Sequence, residues 1–342
     1  ILRCLVGSEM WIRDRSATLP ASRRMSLVRA YLGIRESEKT FENEMGYPLL
    51  TWTDGTEIRQ KRLTYQGAHT HVQMHPCTED AVLAVVQNVV EHGGCVGVIV
   101  NTVKRAQTFS EEIRNQTHAK VLLYHAQFIF PDRTLKEQAL LKTVGKDSSA
   151  EVRRGTVVVG TQVLEQSLDI DFDLLITDIC PMDLLLQRIG RLHRHAFREH
   201  RPEVVKTPVC YVIMDELHGE NNASKKIYGD FLLHRTGENL PERIVLPDDI
   251  SPLVQAVYTF SEDDAMYQTY HNQQEIQKRR ARCFRIGKPT GKDIHRLLSR
   301  DIEDKNECEV EAAVRDGISS IEVLLMRRMK DGSICFLSLI HI

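Results

Sequence analysis

Apolar residues along this chain follow two alternating periods, which predict short strands interleaved with helices. Continuous apolar runs at 97–101, 120–124, 156–160, 173–177 and 209–214 are bounded by turn residues, as expected of strands buried on both faces. Val82, Val85, Val86, Val89 and Val90 recur at helical spacing, with Thr78 placed to cap that helix and Gly93-Gly94 to end it. An amphipathic helix near Ala21 to Leu32, a strand from Tyr47 to Thr53 and another from Ser320 to Arg327 complete the pattern. The order predicts an α/β fold, a parallel sheet wound by right-handed crossovers with helices on both faces.

One segment breaks the apolar pattern with chemistry. Gln187 to His195 reads QRIGRLHRH, and a helix through it sets Gln187, Arg191 and Arg194 on one stripe, with Leu185, Ile189 and Leu192 on a second stripe suited to burial. Two guanidinium forks one turn apart match polyphosphate oxygens, and such pairs stabilise charge on a transferring phosphoryl group. A solvated basic helix face accounts for the arginines alone equally well. Upstream, Gly155 to Asp178 reads as strand, Gly-Thr break, short helix, Asp-rich turn and second strand, half of a parallel α/β unit.

Taken in order, these segments resemble a superfamily 2 helicase. SATLP (16–20) matches motif III, VIVNTVKRA (98–106) motif IV, GTQVLEQSLDID (160–171) motif V and QRIGRLHRH motif VI. The words LEQSLDID and ITDICPMDLLLQRIGRLHRH, with LPDDISPLVQAVY at Leu246 to Tyr258, are more specific and resemble the helicase-nuclease subunit of type I CRISPR systems. That resemblance implies a RecA-like second helicase lobe at 61–215. It implies also the end of a first lobe at 16–60, a connector at 216–275 and an incomplete C-terminal domain at 276–342. Residues 1–15 are expected to be a non-native leader, since MWIRDR sets three consecutive charges where the family has a buried strand, and 336–342 are expected to be non-native too.

Roles carry over by position. Arg191 and Arg194 match the arginines that reach the γ-phosphate of ATP, Gln187 stands beside them, and Asp169 with Gly190 lies on the nucleotide side. Asn101, Thr102 and Thr161 fall at strand ends, where hydroxyls and free backbone N–H groups hold phosphates of a single strand. Ser16, Ala17 and Thr18 match the motif that couples nucleotide state to DNA binding, although Ser16 and Thr18 equally suit a helix-capping turn before Pro20. The implied cofactors are ATP and Mg2+, bound mainly by a first lobe. The implied partners are single-stranded DNA and an RNA-guided type I effector complex, with no membrane, a monomeric state and a cytoplasmic location. One departure is Gln127, near which the family usually has an arginine.

Composition narrows these readings. At 342 residues with 42% hydrophobic side chains, the chain is long enough for about two domains, and a formal charge of −2 requires any nucleic-acid surface to be local. Eight scattered cysteines without a CxxC pair argue for reduced thiols, and no apolar run is long enough to span a bilayer. No GxxxxGK[ST] occurs, so nothing in the sequence cradles β- and γ-phosphates, and the chain alone is expected to be inactive. DELH at Asp215 to His218 imitates a Mg-binding box but follows motif VI, so it reads as coincidence. His69, His71 and His75 share strand parity yet read as scattered strand histidines rather than a metal site. Lys278, Arg279, Arg280, Arg282 and Arg285 read as a solvated face, with a DNA exit path as the alternative. A non-catalytic RecA-like nucleic-acid module and an RNA helicase of another branch remain as other readings of the whole.

Overall fold

A computed structural model describes residues 2–6, 9–13, 16, 18–33, 44–53, 57–165, 168–195, 201–218, 223–259, 265–283, 322–328 and 334–341. The chain divides into two compact units, Ile1–Phe260 and Ser261–Ile342. In the first, β1 (Leu2–Val6) and β2 (Glu9–Arg13) form an antiparallel hairpin, α1 spans Ala21–Leu32, and a second hairpin joins β3 (Leu49–Thr53) to β4 (Ile58–Arg62). The main sheet then begins with β5 (Thr70–Cys77), α2 (Val82–Glu91), β6 (Val96–Ile99), α3 (Val103–Gln116), β7 (Lys120–Tyr124) and α4 (Phe130–Val144). It continues through a single turn α5 (Ala150–Arg153), β8 (Thr156–Gly160), β9 (Leu174–Asp178), α6 (Met182–Ile189) and β10 (Val209–Ile213). Last come α7 (Ala223–Tyr228), α8 (Asp230–Glu238), β11 (Arg243–Leu246) and α9 (Ile250–Tyr258). The second unit contributes α10 (Ala265–Cys283) and an antiparallel pair, β12 (Glu322–Arg328) with β13 (Ile334–His341).

The seven-stranded sheet runs β11-β5-β10-β9-β6-β8-β7. All its pairings are parallel except that of β11 with β5, so Cys77, Ile99, Tyr124, Gly160, Asp178 and Ile213 end on one edge. The central strands β6, β8 and β9 are buried at every position, which is why they read as continuous apolar runs. Val82, Val86 and Val89 of α2 pack with Ala106, Phe109 and Ile113 of α3 over Val96, Val98, Val157 and Val159 in one core. Gly97 admits the Phe172 ring: a Cβ there would lie 2.5 Å from Cδ2.

Several expected elements change form. The helix through QRIGRLHRH ends at Ile189, because Gly190 disfavours helix and the next residues bond to the segment before β9. Phe172 N donates to Arg191 O (2.8 Å) and His193 N to Phe172 O (3.1 Å), with His193 in the left-handed region at φ 48°. Thr78 makes no side-chain cap; Asp215 Oδ2 instead accepts from Glu79 N at 2.7 Å. The stretch expected as a connector carries α7, α8, α9, the start of α10 and β11, which extends the sheet beside β5. Paired strands occupy Leu2–Val6 and Glu9–Arg13, where a non-native leader is expected, and β13 crosses 336–341.

Candidate functional site

The parallel strands deliver three stretches to one region: the turn after β6, the long segment between β8 and β9, and the loop after α6. Residues 191–193 run beside 171–173 through the two backbone hydrogen bonds above and a bridge between Phe172 and Leu192. Beneath them lies a buried ionic clamp. The Asp171 carboxylate accepts Arg194 N at 2.9 Å and Arg201 at 2.8 Å, while Asp173 takes Cys95 N at 2.8 Å, Arg153 at 2.7 Å and Arg201. Arg153 also donates to Asp171 O at 2.7 Å. Buried carboxylates satisfied by fixed cations and backbone N–H groups hold the loop that carries both candidate arginines.

The two arginines differ in surroundings. Arg191 donates to Leu168 O (2.7 Å) and Glu165 O (2.5 Å), leaving its buried Nε without a hydrogen-bond partner. Arg194 is open to solvent and donates through Nε to Asp169 Oδ1 at 2.8 Å, with Gly190 O 3.4 Å from its NH1. Burial, followed by the neighbouring Arg194 charge, lowers the Arg191 pKa, and the hydrogen bond from Arg194 chiefly lowers that of Asp169. Adjacent guanidinium groups repel, so the site favours an added anion. Gln187 Nε2 donates to Thr18 Oγ1 at 3.0 Å, joining the segment before α1 to α6; Ser16 is exposed, its Oγ accepting from Thr18 N at 3.4 Å, and Ala17 lies outside the described residues.

Arg188, between these residues, is fully buried. Its Nε donates to Glu165 Oε1 (2.7 Å), one terminal nitrogen to Thr177 Oγ1 (2.7 Å) and Asp178 O (3.1 Å), and the other to Asn101 Oδ1 (2.9 Å). Burial alone would lower its pKa, but Cys180 and Glu165 raise it, so the guanidinium stays charged. Burial pushes Glu165 up against the opposing pull of Arg188. Asn101 thereby joins the hub: its Nδ2 donates to Ile179 O and to Ser224 Oγ, each at 2.8 Å. Thr102 caps α3 by accepting from Arg105 N at 3.3 Å, and Thr161 is buried at the end of β8. The structure therefore brings Asp169, Gly190, Arg191 and Arg194 together, and places Asn101, Thr102 and Thr161 on the neighbouring strand edge.

Sequence reasoning passed over Arg188, Glu165, Asp171, Asp173, Arg153 and Arg201. A signal existed for Arg188, which is three residues after Leu185 and so lies toward the apolar stripe of α6. DELH forms a short turn at Asp215–Leu217 whose aspartate caps Glu79 N. His69 stacks on Tyr65 and faces Asp248 at 3.7 Å, while His75 stacks on Tyr211. Among the described residues no group of three or more His, Cys, Asp or Glu is arranged to hold a metal ion. Lys278 and Arg279 lie on α10, with Lys278 bonded to Glu275 at 2.7 Å; Arg285 falls outside the described residues. No helix among the described residues is long and apolar enough to cross a membrane.

Residues 92–197, which hold most of this site, match the sequence model described as CRISPR-associated nuclease/helicase Cas3, C-terminal. The chain is 36% identical over 349 residues to the CRISPR-associated nuclease/helicase Cas3 of Streptococcus thermophilus, covering 93% of this chain and 37% of that protein. It is 32% identical over 269 residues to the CRISPR-associated endonuclease/helicase Cas3 of Escherichia coli, covering 73% of this chain and 29% of the relative. In three dimensions it resembles the crystal structure of T. fusca Cas3, with a TM-score of 0.71 and 28% identity over 93% of this chain and 39% of that one. The chain thus spans well under half the length of the relatives it matches.

Proposed function

Because the chain belongs to the CRISPR-associated nuclease/helicase Cas3 family, we propose that it supplies the second RecA-like lobe of an ATP-driven single-stranded DNA translocase. The observation that carries this reading is the loop 190–194, clamped by Asp171 and presenting a solvent-facing Arg194 beside a half-buried Arg191 whose Nε is buried and unpartnered. These residues fit the arginine side of a nucleoside triphosphate site: two permanently charged forks and one exposed carboxylate, Asp169, to meet a ribose. The glycine-rich phosphate loop is to be provided by another lobe, with Mg2+ held there. ATP, when bound, supplies the free energy of phosphoryl transfer. Arg194 neutralises charge on the terminal phosphate, Arg191 fixes the loop through Leu168 O and Glu165 O, and Gln187 communicates with Thr18.

The strand edge at Asn101, Thr102 and Thr161 is proposed as the half of the DNA groove that this lobe contributes. T. fusca Cas3 structures named for ATP, AMPPNP and ADP, and a match to a structure named as an RNA-guided surveillance complex before nicking, support nucleotide use and an effector-complex partner. The chain itself provides the test. In isolation it is expected to bind labelled single-stranded DNA with affinity that falls with salt, and to turn over no ATP. DNA-stimulated hydrolysis by this chain would overturn the division of labour, and absence of DNA binding at low salt would remove the groove assignment.

A further inference from the structure

Helix α7 stands between solvent and the strand edge proposed to meet nucleic acid. Its buried Ser224 Oγ accepts Asn101 Nδ2 at 2.8 Å, and one turn later Tyr228 OH accepts Gln162 Nε2 at 2.8 Å. Gln162 in turn donates to Asn101 O at 2.9 Å, so the side chains at the ends of β6 and β8 are occupied by α7 and by one another. Tyr228 is also 3.5 Å from Arg188, which ties α7 to the buried hub. Asn101 has no amide hydrogen left for a phosphate, with Nδ2 bonded to Ile179 O and Ser224 and Oδ1 to Arg188. A strand of nucleic acid reaching this edge therefore meets the outer face of α7 before it meets Asn101.

Ser224 and Tyr228 are four residues apart and share the inner face, and Lys226, midway between them, falls on the opposite side of the helix. Lys226 is exposed and has no ion-pair partner among the described residues, whereas Lys225 is neutralised by Asp230 at 3.0 Å. Across the edge Lys104 is exposed in the first turn of α3, two residues after Thr102. The acidic side chains nearby are already engaged: Glu79 and Asp178 both pair with Arg105 at 2.8 Å, and Asp215 caps Glu79 N. Two exposed ammonium groups thus stand near an edge where Glu79 and Asp178 share the Arg105 guanidinium and Asp215 is held by a backbone N–H.

We propose that Lys226 of α7, with Lys104 of α3 opposite, contacts backbone phosphates of the single strand, and that Asn101 holds α7 in place instead of touching DNA. The proposal rests on the reading of this edge as a DNA groove. Fluorescence anisotropy with a labelled oligodeoxythymidine tests both separately, using the whole chain, Lys226→Glu, Lys104→Glu and a control, Lys142→Glu, exposed in the last turn of α4. Each groove variant is expected to weaken binding about fivefold or more and to flatten the log-affinity against log-salt slope by about 0.7, with the melting temperature unchanged. The control is expected to match the parent. Parent-like binding by Lys226→Glu overturns the proposal while leaving the groove reading intact, whereas equal weakening by the control overturns both. Absence of binding by the unsubstituted chain overturns the groove reading itself.

Discussion

Replacing Arg188 with methionine keeps an unbranched apolar stem and removes the guanidinium with its charge, and the hub predicts a large penalty. Arg188 is fully buried and Glu165 is 2% exposed, so the variant leaves a carboxylate out of water without its cation. Breaking a buried pair from one side costs about 3–5 kcal/mol. Thr177 Oγ1 and Asn101 Oδ1 lose donors at 2.7 and 2.9 Å as well. At roughly 2–4 °C per kcal/mol for a unit of this size, the melting temperature should fall by about 6–20 °C. The penalty has a pH signature. Burial already raises the Glu165 pKa above its usual 4.5, and loss of Arg188 raises it further. A carboxyl whose folded pKa exceeds its unfolded value stabilises the fold at low pH and loses that contribution as pH rises through the folded pKa. The deficit against the parent should therefore be smaller at pH 5 than at pH 8, and Arg188→Met/Glu165→Leu should recover part of it. Thermal melts followed by circular dichroism at both pH values measure this. A shift under 2 °C, or a deficit independent of pH, would show that the ion pair is not the element holding α6 to the sheet.

Three further outcomes follow from individual contacts. Burial, then the Arg201 charge, lowers the His193 pKa from 6.5, so the unfolded chain takes up a proton first and stability is lost as pH falls below about 6.5. His193→Asn, which tolerates φ 48°, should flatten that acid limb, whereas His193→Val should cost about 1–3 kcal/mol at neutral pH in a thermal melt. Asp215→Ala should cost about 0.5–2 kcal/mol through loss of the cap on Glu79 N, and ATP turnover of a complete parent enzyme carrying it should match the unsubstituted enzyme. Inactivity of that enzyme would restore DELH as a metal-binding box. A chelator is expected to leave the melting temperature of this chain in place; a fall of several degrees would refute the view that His69, His71 and His75 are strand histidines without a metal.

How far the sequence carried depended on whether a signal was local. β7 and β8 were legible to the residue because period and length both belong to the segment itself. β11 was not, because RIVL is a short run that pairs with β5, some 170 positions earlier in the chain, and nothing local announces that pairing. The helix through Arg194 was over-extended for a related reason. Spacing alone favours a helix, but backbone bonds between 171–173 and 191–193 redirect the chain after Gly190. At the candidate site, charged residues in motif-like words stood out, while Arg188 and the Asp171–Asp173 pair did not, since burying an ion requires partners that only the fold supplies.

The central claim, that the loop after α6 delivers an arginine to a nucleotide held by another lobe, is tested most directly at Arg194. Its side chain is 42% exposed and paired only with a half-exposed Asp169 among the ion pairs of this loop, so truncation opens no core cavity. In a complete enzyme containing this segment, Arg194→Ala should lower single-stranded-DNA-stimulated ATP turnover by about 10³ to 10⁵, with Arg194→Lys failing to restore it and the melting temperature preserved. Turnover within a few fold of the parent enzyme would contradict the claim and leave Arg194 as a surface cation.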